Sequence, residues 1–400
     1  MNVYLDHAAS TVLRPDAADM LLRWSGHTAN STGAHRPARE ARRAVEDARD
    51  ELASLIGCDR SEVVFCSGGT EADDLVLSGA TVRGAVMCSA VEHPAVLEAV
   101  GRRGGRTIPV DRSGTLDLDA LDELLAGLDE PLGLVSIMTV NNEVGTVQPI
   151  VEIARRVRAV APEALIHTDA VQALAWVDLR AIGAAVDAMA LSAHKFGGPT
   201  GVGAAVIANA VSTRIAPRQL GGGQELDRRS GTHHVAGIAA MGIAARSADA
   251  GRTRLVTAVG VLRDRLVDDI AGALDGVVET GVVDGDRSHK IAGNAHLCVE
   301  GVDSEALLYL LDEAGVAASA ASSCASGAQQ RSYVLTAMGV PGPLARGALR
   351  LSLGWTTTAA DVDRATEVVI DSVKHLRARR RPRRRDPVVD GRHPPAEVTR

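Results

Sequence analysis

Lysine is scarce in this 400-residue chain: Lys195, Lys290 and Lys374 are the only three, arginine having taken almost every other basic position. A guanidinium stays protonated and cannot condense with a carbonyl, whereas a lysine amine can be freed to form a Schiff base. Lys195 stands in Leu191-Ser192-Ala193-His194-Lys195-Phe196-Gly197-Gly198-Pro199, directly after a short apolar run and among glycines, the setting of an amine kept to react. Other reactive groups also follow short apolar runs. Ser67-Gly68-Gly69-Thr70-Glu71-Ala72-Asp73 joins flexible glycines to a helix start, so Gly69, Thr70 and the free N–H groups could cradle an anion, although alone the segment reads more readily as a capped helix. His93 and Asn142 follow two further runs. A lone histidine there is often structural and an asparagine pair can simply make a turn, yet with only 2% aromatic residues a histidine ring gains weight as a stacking platform.

Asp169 ends another apolar run in His167-Thr168-Asp169-Ala170-Val171-Gln172. A buried carboxylate calls for a cation, such as a protonated pyridine nitrogen; the alternative is an N-capping aspartate. Cys324 lies in the polar stretch Ser319-Ala320-Ala321-Ser322-Ser323-Cys324, where a thiol is accessible, while Cys58, Cys66, Cys88 and Cys298 lie in or beside apolar runs and read as inert.

These groups need a scaffold that brings strand ends together. Residues 39–56 have helical periodicity, with Ala41, Val45, Ala48, Leu52 and Leu55 on one side. After them come short apolar runs at Val63–Cys66, Ala85–Ser89, 134–140, 165–168, Ala188–Ser192 and 202–207, too short for buried helices and spaced for crossover helices. That pattern predicts an α/β fold, in which ligands gather outside the carboxyl ends of the strands. From about Arg252 the pattern changes to a long helix, a strand at 294–300 and a helix at 304–314, which predicts a second, smaller α+β domain. The Ala-, Ser- and Gly-rich stretch 317–330 lacks periodicity and is expected to be a mobile loop carrying Cys324.

The length fits two or three domains, and an ordinary charged fraction of 23% argues against disorder. No run is apolar for long enough to cross a bilayer, and the first ten residues lack a secretory pattern, so the expected compartment is the cytoplasm. Five scattered cysteines, without metal-ligand spacing, fit a reducing compartment. The acidic balance hides a basic end at 377–400, expected to be a disordered tail; nucleic acid or an acidic protein is the alternative role, disfavoured because no aromatic residues interleave with the arginines.

Taken together, these motifs resemble the cysteine desulfurases of the class V aminotransferase superfamily. The resemblance runs from Tyr4-Leu5-Asp6-His7-Ala8-Ala9-Ser10-Thr11 to about Leu353 and includes Gly221-Gly222-Gly223-Gln224-Glu225 and Arg229-Ser230-Gly231-Thr232. It implies a fold-type I pyridoxal 5'-phosphate enzyme with a large domain at 12–251, a small domain formed by 1–11 and 252–376, and a homodimeric assembly. Lys195 would be the Schiff-base lysine and His93 would stack on the cofactor ring. Asp169 would pair with the ring nitrogen and Gln172 would hydrogen-bond the ring oxygen. Gly69, Thr70, Ser192 and His194 would hold the phosphate, with Thr232 reaching it from the partner subunit. Asn142 and Arg350 would take the substrate carboxylate, a task that suits an arginine fork. Cys324 falls where desulfurases with the longer catalytic loop keep their nucleophile. Two departures, Ala321 and Ala193, stand where glycine is usual.

The expected reaction converts L-cysteine to L-alanine and leaves a persulfide on Cys324 for a sulfur-acceptor protein, the final acceptor being open between iron–sulfur clusters, tRNA, DNA backbone and a thio-metabolite. Two rivals remain: another class V lyase or aminotransferase, such as a selenocysteine lyase, and a non-catalytic cofactor-bearing scaffold for sulfur transfer.

Overall fold

The computed structural model describes residues 2–27, 30–320 and 331–380. Cys324, Ala321 and most of the expected tail therefore lie outside the described residues. Helices α1 (Pro15–Ser25) and α2 (Arg36–Ile56) open the larger unit. The second starts three residues earlier than its periodicity indicated, because the His35 side chain accepts the Ala38 N–H and a proline occupies the first turn. It stops at Gly57, whose φ of 80° is the left-handed conformation that favours glycine.

Among the described residues, seven strands form the main sheet: β1 (Val63–Cys66), β2 (Ala85–Ser89), β3 (Arg106–Ile108), β4 (Leu132–Ser136), β5 (Leu165–Asp169), β6 (Ala188–Ser192) and β7 (Gly203–Ile207). Their spatial order is β1-β7-β6-β5-β4-β2-β3; β7 runs antiparallel to both neighbours, and the other neighbouring pairs are parallel. Side chains alternate between two apolar layers. Phe65, Met87, Ile166 and Met189 enter the core beneath α1 and α2, while Val64, Cys88, Leu165 and Ala190 enter the opposite one. Helices α3 (Gly69–Leu77) and α4 (Pro94–Arg102) supply that second layer. The run expected as one strand at 134–140 leaves regular pairing after Ser136, so its last residues form the approach to Asn141 and Asn142.

The smaller unit has its own core. Strands β8 (Val277–Glu279), β9 (Asn294–Val299) and β10 (Ala348–Ser352) make an antiparallel sheet, and the short pair Val3–Tyr4 and Val316–Ala317 runs parallel beside it. Val3 and Leu5 pack into this core. Helix α5 (Val235–Ala273) passes uninterrupted through Arg252, where the sequence pattern changes; Ala240 and Ala244 lie in the first core, Leu266 and Ile270 in the second. Helices α6 (Ser304–Glu313) and α7 (Tyr333–Ala337) precede the closing helix α8 (Ala359–Arg380). The tail boundary needs correction: residues 377–380 belong to α8, and Arg377 donates to the Glu300 and Asp275 carbonyls.

Candidate active site

β6 ends at Ser192, and one tight turn, Ala193–Lys195, swings the Lys195 amine into a cavity of about 260 Å³ at the carboxyl edge of the main sheet. The departure at Ala193 is accommodated without opening the turn. Its methyl is fully buried, and a Cβ added to Gly198 would lie only 2.7 Å from it, so the missing side chain at Gly198 makes the room. Lys195 Nζ donates to the Ala8 carbonyl at 2.5 Å and the Ala9 carbonyl at 3.0 Å. Burial lowers its pKa to about 8, with Arg350 pushing the same way and Asp169 and Asp6 opposing. This amine is therefore much easier to free than an exposed lysine. Scarcity alone does not single it out, because Lys290 is also buried, held by Glu279 and the Thr280 carbonyl.

Asp169, at the end of β5, lines the same cavity and accepts the Val171 N–H at 2.9 Å. Burial raises its pKa, while that N–H, His93 and Lys195 lower it. Gln172 donates to Ala8 O at 2.8 Å. His93 caps α4, its Nδ1 accepting the Ala95 N–H at 3.2 Å, so in the neutral ring the proton sits on Nε2. Burial lowers its pKa. A structural role as helix cap and a place in the cavity wall thus hold together for this histidine. The asparagine pair divides its work: Asn141 makes the turn by accepting the Glu143 and Val144 N–H groups, while Asn142 faces the cavity.

Gly69 and Thr70 form the first turn of α3 at the cavity edge, and Ser192 and His194 line it from β6 and the turn beyond. This set of N–H, hydroxyl and imidazole donors suits a phosphate. Gly69 is required there: a Cβ would stand 2.5 Å from Val171 Cγ2. Arg350, on β10 of the smaller unit, reaches across to donate to Asn142 O at 2.8 Å and pair with Asp6 at 2.7 Å. Its Nε and the Asn142 Oδ1 are buried without a hydrogen-bond partner, the condition of groups arranged for a ligand. Thr232 does not line this cavity, and Cys324 lies outside the described residues.

Sequence reasoning missed several members. Asp6 and the Ala8 and Ala9 carbonyls come from the N-terminal segment, which was quoted only for its resemblance. Asp73 lines the cavity floor and is raised well above the usual carboxylate range by burial and by Asp169 and Glu92. Its spacing of three from Thr70 on one helix was the available signal. Cys66 and Cys298 are buried and Cys58 partly so; burial pushes these thiols up to about 12, and Cys88 is raised too, which fits inert cysteines. A wider groove of about 790 Å³ between α1, α2 and α5 contains none of the predicted site residues.

Comparison with known proteins matches residues 3–365 to the aminotransferase class-V family. The chain is 40% identical to an IscS-like cysteine desulfurase of Mycobacterium tuberculosis (strain H37Rv), over 94% of this chain and 97% of that protein. A solved NifS-like protein is 30% identical, with a TM-score of 0.85 over 94% of this chain and all of that one. The structure of SspA in complex with cysteine is 27% identical, with a TM-score of 0.75 over 88% of this chain and 99% of that one. By family match, near-complete coverage and fold, the chain belongs to the class-V aminotransferases, among the cysteine desulfurases.

Proposed function

We propose that this protein is a pyridoxal-phosphate-dependent cysteine desulfurase that converts L-cysteine to L-alanine and takes the sulfur onto Cys324 as a persulfide. The observation that carries the reading is the Lys195 amine, lowered to about 8, in one cavity with the Asp169 carboxylate and the Arg350 guanidinium. That donor set fits pyridoxal phosphate: a carboxylate for a protonated ring nitrogen, the α3 N-terminus with Thr70, Ser192 and His194 for the phosphate, and an amine for the aldehyde. When bound, the cofactor supplies an electron-withdrawing ring that stabilises negative charge at the substrate α-carbon.

The chain's own residues do the rest. Arg350 and Asn142 orient the substrate carboxylate, and Asp6 exchanges its place on the guanidinium for that carboxylate. Lys195, neutral near its lowered pKa, removes the α-proton. His93, with Nδ1 committed to the Ala95 N–H, offers Nε2 for proton transfer. The Cys324 thiolate attacks the substrate sulfur; the S–S bond forms as the C–S bond breaks, the electron pair of that bond stays with the β-carbon, which takes up a proton, and Lys195 returns to the α-carbon the proton it removed, giving alanine.

The same proposal includes a homodimer in which the partner's Thr232 completes the phosphate site, and a cytoplasmic location with a sulfur-acceptor protein as partner. Among the described residues, no helix is long and apolar enough to cross a membrane.

The test is Cys324→Ser in the cofactor-loaded enzyme. Alanine release from cysteine should fall to background while the visible absorbance of the bound cofactor is kept. Unchanged alanine release would instead place the protein with class V lyases such as selenocysteine lyases, and a coloured wild-type protein that turns over no amino acid would make it a scaffold.

A further inference from the structure

Cys324 belongs to the stretch 321–330, and the described residues on both sides of that stretch are tied to the candidate site. Before it, Ser319 and Arg350 exchange backbone hydrogen bonds, Ser319 N–H to Arg350 O at 3.2 Å and Arg350 N–H to Ser319 O at 2.6 Å. After it, Ser332 caps α7 by accepting the Leu335 N–H at 3.0 Å and donates its hydroxyl proton to Glu143 Oε1 at 2.6 Å. The Tyr333 hydroxyl donates to Glu92 O at 2.8 Å. Each anchor is a site residue or its immediate neighbour: Arg350 itself, Glu143 after Asn142, and Glu92 before His93.

Glu143 is an unusual anchor, because a carboxyl only 3% exposed is costly to bury without a cationic partner at hydrogen-bond distance. It faces Ser332 from α7, His296 Nε2 from β9 at 3.8 Å, and the field of Arg350 from β10. His296 Nδ1 is held by Thr280 Oγ1 at 2.5 Å, so Nε2 is left without a hydrogen bond of its own. The Glu143 backbone carbonyl also accepts from Asn294 Nδ2 at 3.0 Å. The residue therefore joins α7, β9 and the Asn142 turn. Burial raises the carboxyl to about 7, and the Ser332 hydroxyl and Arg350 oppose that rise.

We propose that Glu143 is a positioning residue for the sulfur-transfer step: through Ser332 it fixes the start of α7, directly after the Cys324 stretch in sequence, in register with Asn142 and Arg350. This rests on the desulfurase reading above. Glu143 touches no reacting atom. Its contribution is geometric, since a small misplacement of a reacting group is costly.

The test uses the cofactor-loaded enzyme and three variants, Glu143→Ala, Glu143→Gln and Ser332→Ala. In single-turnover mixing with cysteine, Glu143→Ala and Ser332→Ala should form the Cys324 persulfide about tenfold more slowly. The cysteine-induced change in cofactor absorbance should keep its concentration dependence. Glu143→Gln, which retains an oxygen to accept the Ser332 proton, should recover most of the rate. An unchanged persulfide rate in Ser332→Ala, or equal loss of cysteine binding and persulfide formation in Glu143→Ala, overturns the proposal. A second readout does not need the desulfurase reading: trypsin should cut after the exposed Arg331 faster in both alanine variants than in the wild type, and equal cutting overturns the anchor. Wild-type protein that forms no persulfide defeats the desulfurase reading instead, while the cutting rates still decide the anchor.

Discussion

At Lys195, burial and the Arg350 charge work against the ammonium while Asp169 and Asp6 favour it, and the balance leaves a pKa of about 8 in place of 10.5. The neutral amine is the form that condenses with an aldehyde. The rate at which cofactor-free protein captures pyridoxal phosphate should therefore rise about tenfold per pH unit below 8 and level off above it. A rise continuing toward pH 10 would mean that the amine is not held as described. Lys195→Arg keeps the charge and should leave no cofactor that borohydride can fix to the chain. Much of this scale was legible in the sequence, because a reactive amine, an acid and a thiol differ in kind from what surrounds them. What was not legible is backbone: the Ala8 and Ala9 carbonyls that hold the amine carry no side-chain signature.

The elements place these groups by ending strands beside one another. β5 and β6 pair in parallel through Asp169 and Ala190, so the acid and the turn that carries the amine leave the sheet together. α3 brings its first turn to the same edge only because Gly69 clears Val171. Gly69→Ala should push that turn outward at a cost of roughly 1–3 kcal/mol, read as weaker cofactor binding by absorbance titration. Adding Val171→Ala should recover much of the loss; no recovery would show that the close approach is not the cause. The short buried strands were legible from apolar run length, but their order was not. Nor was the pairing of Arg350 with Asp6, 344 residues apart in sequence, which arises only when the N-terminal segment lies against β10. The part played by Glu143 was not legible either, since its partner Ser332 lies 189 residues away.

On the scale of the molecule, α5 runs through both cores and the cavity opens where the two units meet, so Arg350 reports on how the smaller unit sits against the sheet. Buried Glu143 makes this packing sensitive to pH. Its carboxyl is raised from 4.5 to about 7, so between those values the folded chain keeps a proton that the unfolded chain has lost. The associated stability is complete below about pH 4.5 and fades as pH rises through 7. Wild type should accordingly lose stability relative to Glu143→Gln between pH 5 and 8, by roughly 3 kcal/mol, in paired denaturation curves; parallel curves would contradict it. If the partner's Thr232 completes each site, mixing inactive Lys195→Ala chains with inactive Thr232→Ala chains should restore up to about one working site per mixed dimer. Absence of any recovery on proven subunit exchange would place Thr232 outside the phosphate site.

The most direct measurement is the mass of the Cys324 peptide after purified, cofactor-loaded protein meets L-cysteine without added thiol. One added sulfur on that peptide, absent when Lys195 is replaced by Ala, is the predicted result. An unmodified Cys324 while alanine accumulates would contradict the account.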